Sequence, residues 1–462
     1  MAIYQDLCEL IGEDKVTVNE TMLLHHSGDE SHHAKVEPDV VAFPETTVDV
    51  QKIVHYANIN GIPVVPYGAG SGLEGQAIPV QKGISVSTER MNRIAEIRPE
   101  DLTVTVQPGV TRMRLNDELK KYGLFFPVDP GADASIGGMA STNASGTLAV
   151  RYGVMRDQIL SMEVVLADGR VIKTGSMARK SSSGLHLNGL FIGSEGTLGI
   201  FTEITLKLHG IPEHIVAARC TFPSVRSCVD AAAGILTAGI AIARVELVDA
   251  RSIRQVNAFS GTDYPEEDSL FLEFHGNQAG NEEDIQFVQS IVEEAGSTSF
   301  AFETDSLKRA NLWKARHDMH YAYHHGNPGL SILSTDVCVP ISKLPEIVDF
   351  TRNQLDAYGL DGGVLGHVGD GNFHTVILYD KQDPEQVGKA VRLNEEIVAY
   401  ALRVGGTCTG EHGVGLGKMK FQEQEHGPAL DVMLALKHTL DPKHILNPGK
   451  VLPAMTKALN DL

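Results

Sequence analysis

Cysteine and tryptophan are scarce in this chain, with five cysteines and one tryptophan among 462 residues. Cys8, Cys220, Cys228, Cys338 and Cys408 are odd in number, far apart and never in a CxxC pair. That excludes a disulfide framework and a structural zinc knot, and points to a reducing compartment. No apolar run approaches the ~20 residues that a membrane span needs. The opening Met1-Ala-Ile-Tyr-Gln-Asp-Leu does not read as a signal peptide. The expectation is a soluble protein of the cytoplasm or mitochondrial matrix. Positive charge is also short: 39 Lys and Arg face 59 Asp and Glu, a net charge of −20 spread along the chain. Nucleic acid and anionic membrane are thereby excluded as main partners. No Gly-Lys-Ser/Thr is present, so there is no nucleotide-hydrolysing phosphate loop.

What is present is an ordinary globular composition, 42% hydrophobic and 21% charged, in a chain too long for one core. Short β-rich runs dominate from Val41 to Leu208, including 63–67, 84–87, 103–107, 162–166, 171–174 and 204–208. Helical stretches at 48–60 and 111–122 lie between them. From 214 to 380 strands mix with long helices at 225–238, 281–295, 305–325 and 344–358. The fold class is α+β. The expected divisions are a helical start over 1–35, domains at 36–210 and 211–410, and a C-terminal segment over 411–462. His25, His26, His32 and His33 sit in polar surroundings and read as a solvated, mobile segment.

Three stretches are rich in glycine and small side chains. Pro66-Tyr-Gly-Ala-Gly-Ser-Gly-Leu-Glu-Gly-Gln76 contains GxGxxG, but Pro79 and a strand follow where a dinucleotide fold needs a helix. What remains is a strand running into a loop of exposed backbone N–H groups, a form that binds anions. The others are Pro127 to Gly146 and Phe191-Ile-Gly-Ser-Glu-Gly-Thr-Leu-Gly-Ile200. Small residues there let backbone approach a large planar ligand.

Gly366-His-Val-Gly-Asp-Gly-Asn-Phe-His374 carries two histidines about a glycine-rich turn. With Asp370-Gly371 as a two-residue hairpin turn, His367 would oppose His374 on one face. Two histidines and a carboxylate with open positions suit zinc, manganese or iron. Gly410-Glu-His-Gly413 offers Glu411 as the third ligand and His412 as a neighbouring base.

PYGAGSGLEG, FPVDPGADASIGGMASTNASG with RYGVMRD, GLFIGSEGTLGI, HVGDGNFH, GTCTGEHGVGLGK and LNPGKVL occur in that order. The set resembles the FAD-linked 2-hydroxyacid dehydrogenases of the vanillyl-alcohol-oxidase superfamily, and FAD-dependent D-lactate dehydrogenases in particular. D-2-hydroxyglutarate dehydrogenase and the glycolate oxidase flavin subunit resemble it too. The resemblance runs from about Pro38 to Leu452. It implies a two-subdomain FAD-binding domain and an α+β substrate domain with an antiparallel sheet.

It further implies that Pro66, Gly68, Ala69, Gly70, Ser71, Gly72, Leu73 and Gln76 wrap the FAD pyrophosphate. Pro130, Gly131, Ser135, Gly137, Gly138, Asn143, Ser145 and Gly146 would line the cofactor. Glu195, Gly196 and Ile200 would close over it, and Asn447 would approach the isoalloxazine. No histidine stands between Val65 and Gln76, so the FAD is expected to be non-covalent. In Leu312-Trp-Lys-Ala-Arg-His-Asp318, Arg316 would hold the substrate carboxylate beside Trp313, and Asn372 would bind substrate or orient the site. The hydroxyglutarate enzymes carry a lysine where Ser334 stands, which favours a monocarboxylate such as D-lactate. The acid would lose hydride to flavin N5 with His412 as base and a metal on His367, His374 and Glu411. A cytochrome, a quinone or an electron-transferring flavoprotein would take the electrons, and a homodimer is a further expectation. The competing readings are a D-2-hydroxyglutarate or glycolate dehydrogenase, a flavin oxidase using oxygen, and a metal hydrolase that leaves the glycine-rich stretches unexplained.

Overall fold

The computed structural model describes residues 2–453, and all helix and strand bounds below refer to them. They form two compact units: residues 2–145, 153–211 and 411–453 make the first, and residues 146–152 and 212–410 the second. Among the described residues no helix is long and apolar enough to cross a membrane.

The first unit holds two main sheets. One runs Val16–Thr17, Val40–Ala42, Ile84–Ser87, Val64–Tyr67, with the last two neighbours parallel. Helix Thr47–Asn60 makes the crossover, opened by a Thr46/Asp49 capping box and stopped by Gly61 at φ 66°. Its Val50, Ile53, Val54 and Ala57 are buried in one apolar cluster with Val40, Val64, Ile84 and Val86. The β-branched residues of these strands are buried on both faces, as parallel sheets require. The strand Val64–Tyr67 then delivers the first glycine-rich loop. The second sheet is antiparallel, in the order Ile94–Arg98, Thr103–Val106, Ile200–Lys207, Ile159–Val165, Val171–Gly175.

The second unit is built on a seven-strand antiparallel run: Ser299–Glu303, His214–Phe222, Asp268–Gly276, Ile242–Val248, Asp361–Gly366, Asn372–Tyr379, Ser331–Ser334. Helices Ser306–His317 and Met319–Gly326 contribute Leu312, Trp313, Ala315, Met319, Ala322 and Tyr323 to an apolar cluster with Phe271, Leu365 and Leu378. The sequence suggests one helix over 305–325; the structure divides it at Asp318, which ends the first helix and begins the second, its carboxylate paired with Lys314.

Two expectations are corrected. The histidine hairpin does not turn on two residues: Leu365 pairs with His374, and the turn spans the five residues between Gly366 and Asn372. His367 would therefore oppose Asn372, and it meets His374 diagonally. A shift of two residues preserves the face because the side-chain period is two. Nor is the early histidine segment solvated throughout. His26 is fully buried, its ring 4.4 Å from that of Tyr67, with Nδ1 2.9 Å from the Met22 carbonyl. Burial holds its pKa below the ordinary imidazole value.

Candidate active site

In the first unit the three small-residue stretches and the C-terminal segment converge. Among the described residues no hydrogen bond engages the backbone N–H groups of Gly68, Ala69, Gly70, Ser71, Gly72 and Leu73. Six consecutive available amides fit a dianionic pyrophosphate. Gly68 sits where an added Cβ would come within 2.6 Å of Ser135 Oγ. Ser135 caps helix Ile136–Thr142 by accepting from Gly138 N–H, and Gly137 abuts Pro108, where a Cβ would come within 2.5 Å. Pro130 and Gly131 lie in the loop leading to Ser135, and Asn143 ends the helix at φ 52°. Ser145 closes this stretch of the first unit, while Gly146 begins the segment that belongs to the second.

The third stretch docks on that helix through Gly193 N–H to Ala140 O at 3.0 Å and Glu195 N–H to Ser141 O at 2.9 Å. Gly196, at φ 72°, meets Pro66, and a Cβ would come within 2.3 Å of its ring. Ile200 starts the following strand. The Asn447 side-chain amide donates to Gln76 O at 3.1 Å and Glu195 O at 2.7 Å. The Glu195 carboxylate accepts from Val414 N–H at 2.6 Å and Gly415 N–H at 2.9 Å. Burial raises its pKa to about 7 against those N–H groups and Lys450, while burial lowers the Lys450 ammonium to about 7. These ties hold the three glycine-rich stretches and the C-terminal segment together within the first unit.

The second unit presents the histidines. The rings of His367 and His374 lie 5.5 Å apart at 86°. His367 Nδ1 is 2.7 Å from Glu246 Oε1, and His374 Nδ1 is 3.1 Å from the Thr335 carbonyl. Both partners are acceptors, so both Nδ1 atoms carry the proton and the lone pairs fall on Nε2. That is how metal-binding histidines are oriented. Glu246 is wholly buried, and its Oε2 also accepts from Arg316 Nη2 at 2.7 Å and Nε at 3.1 Å. Burial pushes its pKa up, but His367 and Arg316 outweigh this and hold it below the ordinary value.

The Nδ2 of Asn372 donates to Asp336 Oδ1 at 2.7 Å and Val337 O at 2.8 Å, which leaves Oδ1 buried without a hydrogen-bond partner among the described residues. Asp336 also accepts from Thr409 Oγ at 2.7 Å and Gly410 N–H at 2.8 Å. Gly410 must be glycine, because a Cβ would come within 2.1 Å of Asn372 Nδ2. Glu411 and His412 follow it directly, where the chain re-enters the first unit. Ser334 ends the edge strand opposite Val376. Trp313 is buried behind Arg244, whose guanidinium lies 4.5 Å from the ring.

Glu246 escapes a motif-based reading. Its signal is a carboxylate inside Ile242-Ala-Arg-Val-Glu-Leu-Val248, an apolar strand in which a charge has to find a partner.

The description "FAD linked oxidases, C-terminal domain" matches residues 211–451, and "FAD binding domain" matches residues 38–175. "Probable D-lactate dehydrogenase, mitochondrial" of Danio rerio is 46% identical, covering 96% of this chain and 90% of its own. "D-lactate dehydrogenase (cytochrome), mitochondrial" of Arabidopsis thaliana is 45% identical, covering 96% and 78%. In fold, 4-ethylphenol oxidase from Gulosibacter chungangensis aligns with a TM-score of 0.79 at 21% identity, covering 98% of this chain and 97% of its own. p-Cresol methylhydroxylase gives the same score and identity, covering 97% and 96%. With a vanillyl-alcohol-oxidase-type fold and matches of this extent, the chain belongs to the FAD-linked oxidase family, within its D-lactate dehydrogenase group.

Proposed function

We propose that this chain is a FAD- and divalent-metal-dependent dehydrogenase that oxidises a D-2-hydroxy acid, D-lactate or a similar monocarboxylate, to the 2-oxo acid. The observation that carries the reading is the pair His367 and His374, on one face, each pinned through Nδ1 to a buried acceptor. Similarity to proteins named D-lactate dehydrogenase supports the substrate class.

Bound FAD would supply the acceptor for the hydride that leaves C2 of the acid. The free amides of Gly68 to Leu73 would hold its pyrophosphate, and Gly137, Gly138 and Gly196 let the surrounding loops pack closely on Pro108, Ser135 and Pro66. Zinc, manganese or iron would be held by His367, His374 and Glu411, lowering the pKa of the substrate hydroxyl. His412 takes the hydroxyl proton as a neutral base. Asn372 Oδ1, the buried acceptor, orients the substrate or a water beside it. Ser334 is neutral where a second substrate carboxylate would need a cation, which supports a monocarboxylate. The net charge of −20 favours a basic electron-carrier protein, such as a cytochrome, as acceptor.

The test is anaerobic flavin reduction screened over D-2-hydroxy acids of increasing size. Bleaching by D-lactate and not L-lactate, abolished by chelation while FAD stays bound, is the expected outcome. A much higher kcat/KM for D-2-hydroxyglutarate would overturn the monocarboxylate reading. A purified protein with no flavin absorbance after adding FAD would end the whole of it.

A further inference from the structure

Asp336 is wholly buried, and the proposed chemistry gives it no role. Its Oδ1 accepts from Asn372 Nδ2 at 2.7 Å, and its Oδ2 accepts from Thr409 Oγ1 at 2.7 Å and Gly410 N–H at 2.8 Å. Three converging donors favour the ionised carboxylate, and bonds to an ion are about twice as strong as neutral ones. One side chain thus joins three segments of the second unit: 335–338, the end of the histidine turn, and 407–410. The backbone fixes it there. Val337 and Cys338 pair with Phe373 and Asn372, and Thr407 N–H donates to the Cys338 carbonyl at 2.8 Å.

That placement decides how the Asn372 amide is turned. Its Nδ2 lies against two oxygens that only accept, Asp336 Oδ1 and the Val337 carbonyl at 2.8 Å. Turning the amide over would set its own oxygen against both of them. Asn372 Oδ1 is therefore the end left over, buried and without a hydrogen-bond partner among the described residues. A group that meets it has to donate. A hydroxyl satisfies it, and a carbonyl oxygen does not.

The same carboxylate stands 3.7 Å from His374 Nδ1, the atom already turned to the Thr335 carbonyl. It backs that ring on the side away from Nε2, as Glu246 backs His367. Its other oxygen holds Thr409 and Gly410, the residues from which the chain runs on into Glu411 and His412.

We propose that Asp336 is a positioning residue that turns the acceptor of Asn372 to the substrate hydroxyl, so that the site tells the 2-hydroxy acid from its 2-oxo product. This rests on the 2-hydroxy acid reading above. The isosteric Asp336→Asn keeps one oxygen and gains an N–H donor. Gly410 N–H cannot turn away, so the oxygen stays on that side and the new donor faces Asn372 Nδ2. Asn372 then turns over and presents a donor.

The test uses the FAD-loaded enzyme and calorimetry of two dead-end complexes. D-lactate is added to the dithionite-reduced enzyme, which has no acceptor for hydride, and pyruvate to the oxidised enzyme, which has no hydride to give. The readout is the ratio of the two Kd values, so that a loss of stability or metal, which weakens both, cancels. In Asp336→Asn the Kd of D-lactate rises about tenfold or more, while that of pyruvate holds or falls. Asn372→Ala shifts the ratio in the same direction, and adding Asp336→Asn to it changes the ratio less than about twofold, because the effect runs through Asn372. If Asp336→Asn does not load FAD, Asn372→Ala decides.

If the unaltered enzyme, FAD-loaded, is reduced by no D-2-hydroxy acid, the proposed function falls and this assignment with it. If it is reduced normally and the ratio stays unchanged in Asp336→Asn or in Asn372→Ala, the assignment alone is wrong.

Discussion

Gln76 donates its side-chain amide to the backbone carbonyl of His412 at 2.7 Å. Its Oε1 accepts from Glu74 N–H at 3.2 Å, so one buried amide joins the first glycine-rich loop to the loop of the candidate base. Gln76→Glu replaces the donor with an acceptor facing a carbonyl. A buried bond of this kind contributes about 1 kcal/mol, and an unsatisfied partner costs about 1–3 kcal/mol. We expect a lower Tm for the variant and slower flavin reduction at saturating substrate, read by thermal unfolding and stopped-flow absorbance.

Glu246→Ala leaves the buried Arg316 guanidinium uncompensated and takes the acceptor from His367 Nδ1. Breaking a buried pair from one side costs about 3–5 kcal/mol, and losing the partner of a metal-binding histidine costs about 10–100-fold in metal affinity. Denaturant unfolding and metal titration by calorimetry read the two effects separately. Unchanged metal affinity would remove Glu246 from the site.

Glu195 titrates at about 7 in the fold and near the ordinary carboxylate value when unfolded. Between about pH 4.5 and 7 the folded state therefore holds the extra proton. The Glu195 contribution to stability is fully present below that window and is lost as pH rises through it. In Glu195→Gln this slope disappears, whatever the absolute stability. The check is the difference in unfolding free energy between the two proteins at pH 5, 6, 7 and 8; a constant difference would contradict it.

Gly371 ends the histidine turn at φ 83°, and a Cβ there would come within 2.1 Å of the Val339 carbonyl. Gly371→Ala combines left-handed strain with overpacking and destabilises the second unit by at least about 2 kcal/mol. Because the turn spaces His367 from His374, bound metal should fall more steeply than Tm predicts. Metal analysis after gel filtration of the folded fraction decides this.

The sequence was informative where one residue type meets one physical demand. Strands and helices followed hydrophobic period, and the glycine-rich stretches marked places where backbone packs too closely for a side chain, as Gly196 does against the Pro66 ring. The histidines could be assigned to one face despite a misplaced turn, because a two-residue error keeps the face. Glu246 and His26 were illegible for the opposite reason. Each is a polar residue whose burial depends on partners remote in the chain: Glu246 on His367, 121 residues away, and His26 on Tyr67, 41 residues away.

Residues 146–152 belong to the second unit although both their flanks belong to the first, so the backbone passes between units at 145/146, 152/153, 211/212 and 410/411. On the ribosome the first unit's sheets are synthesised before 212–410, yet Asn447 and the Val414–Gly415 amides that tie Gln76 and Glu195 are made after it. The second unit in turn depends on Arg151 and Tyr152, made before the rest of it. All residues of the second unit have been made by Gly410, but the first unit is not complete until residues 411–453 have emerged, so the cofactor cradle closes only after the whole second unit has been synthesised.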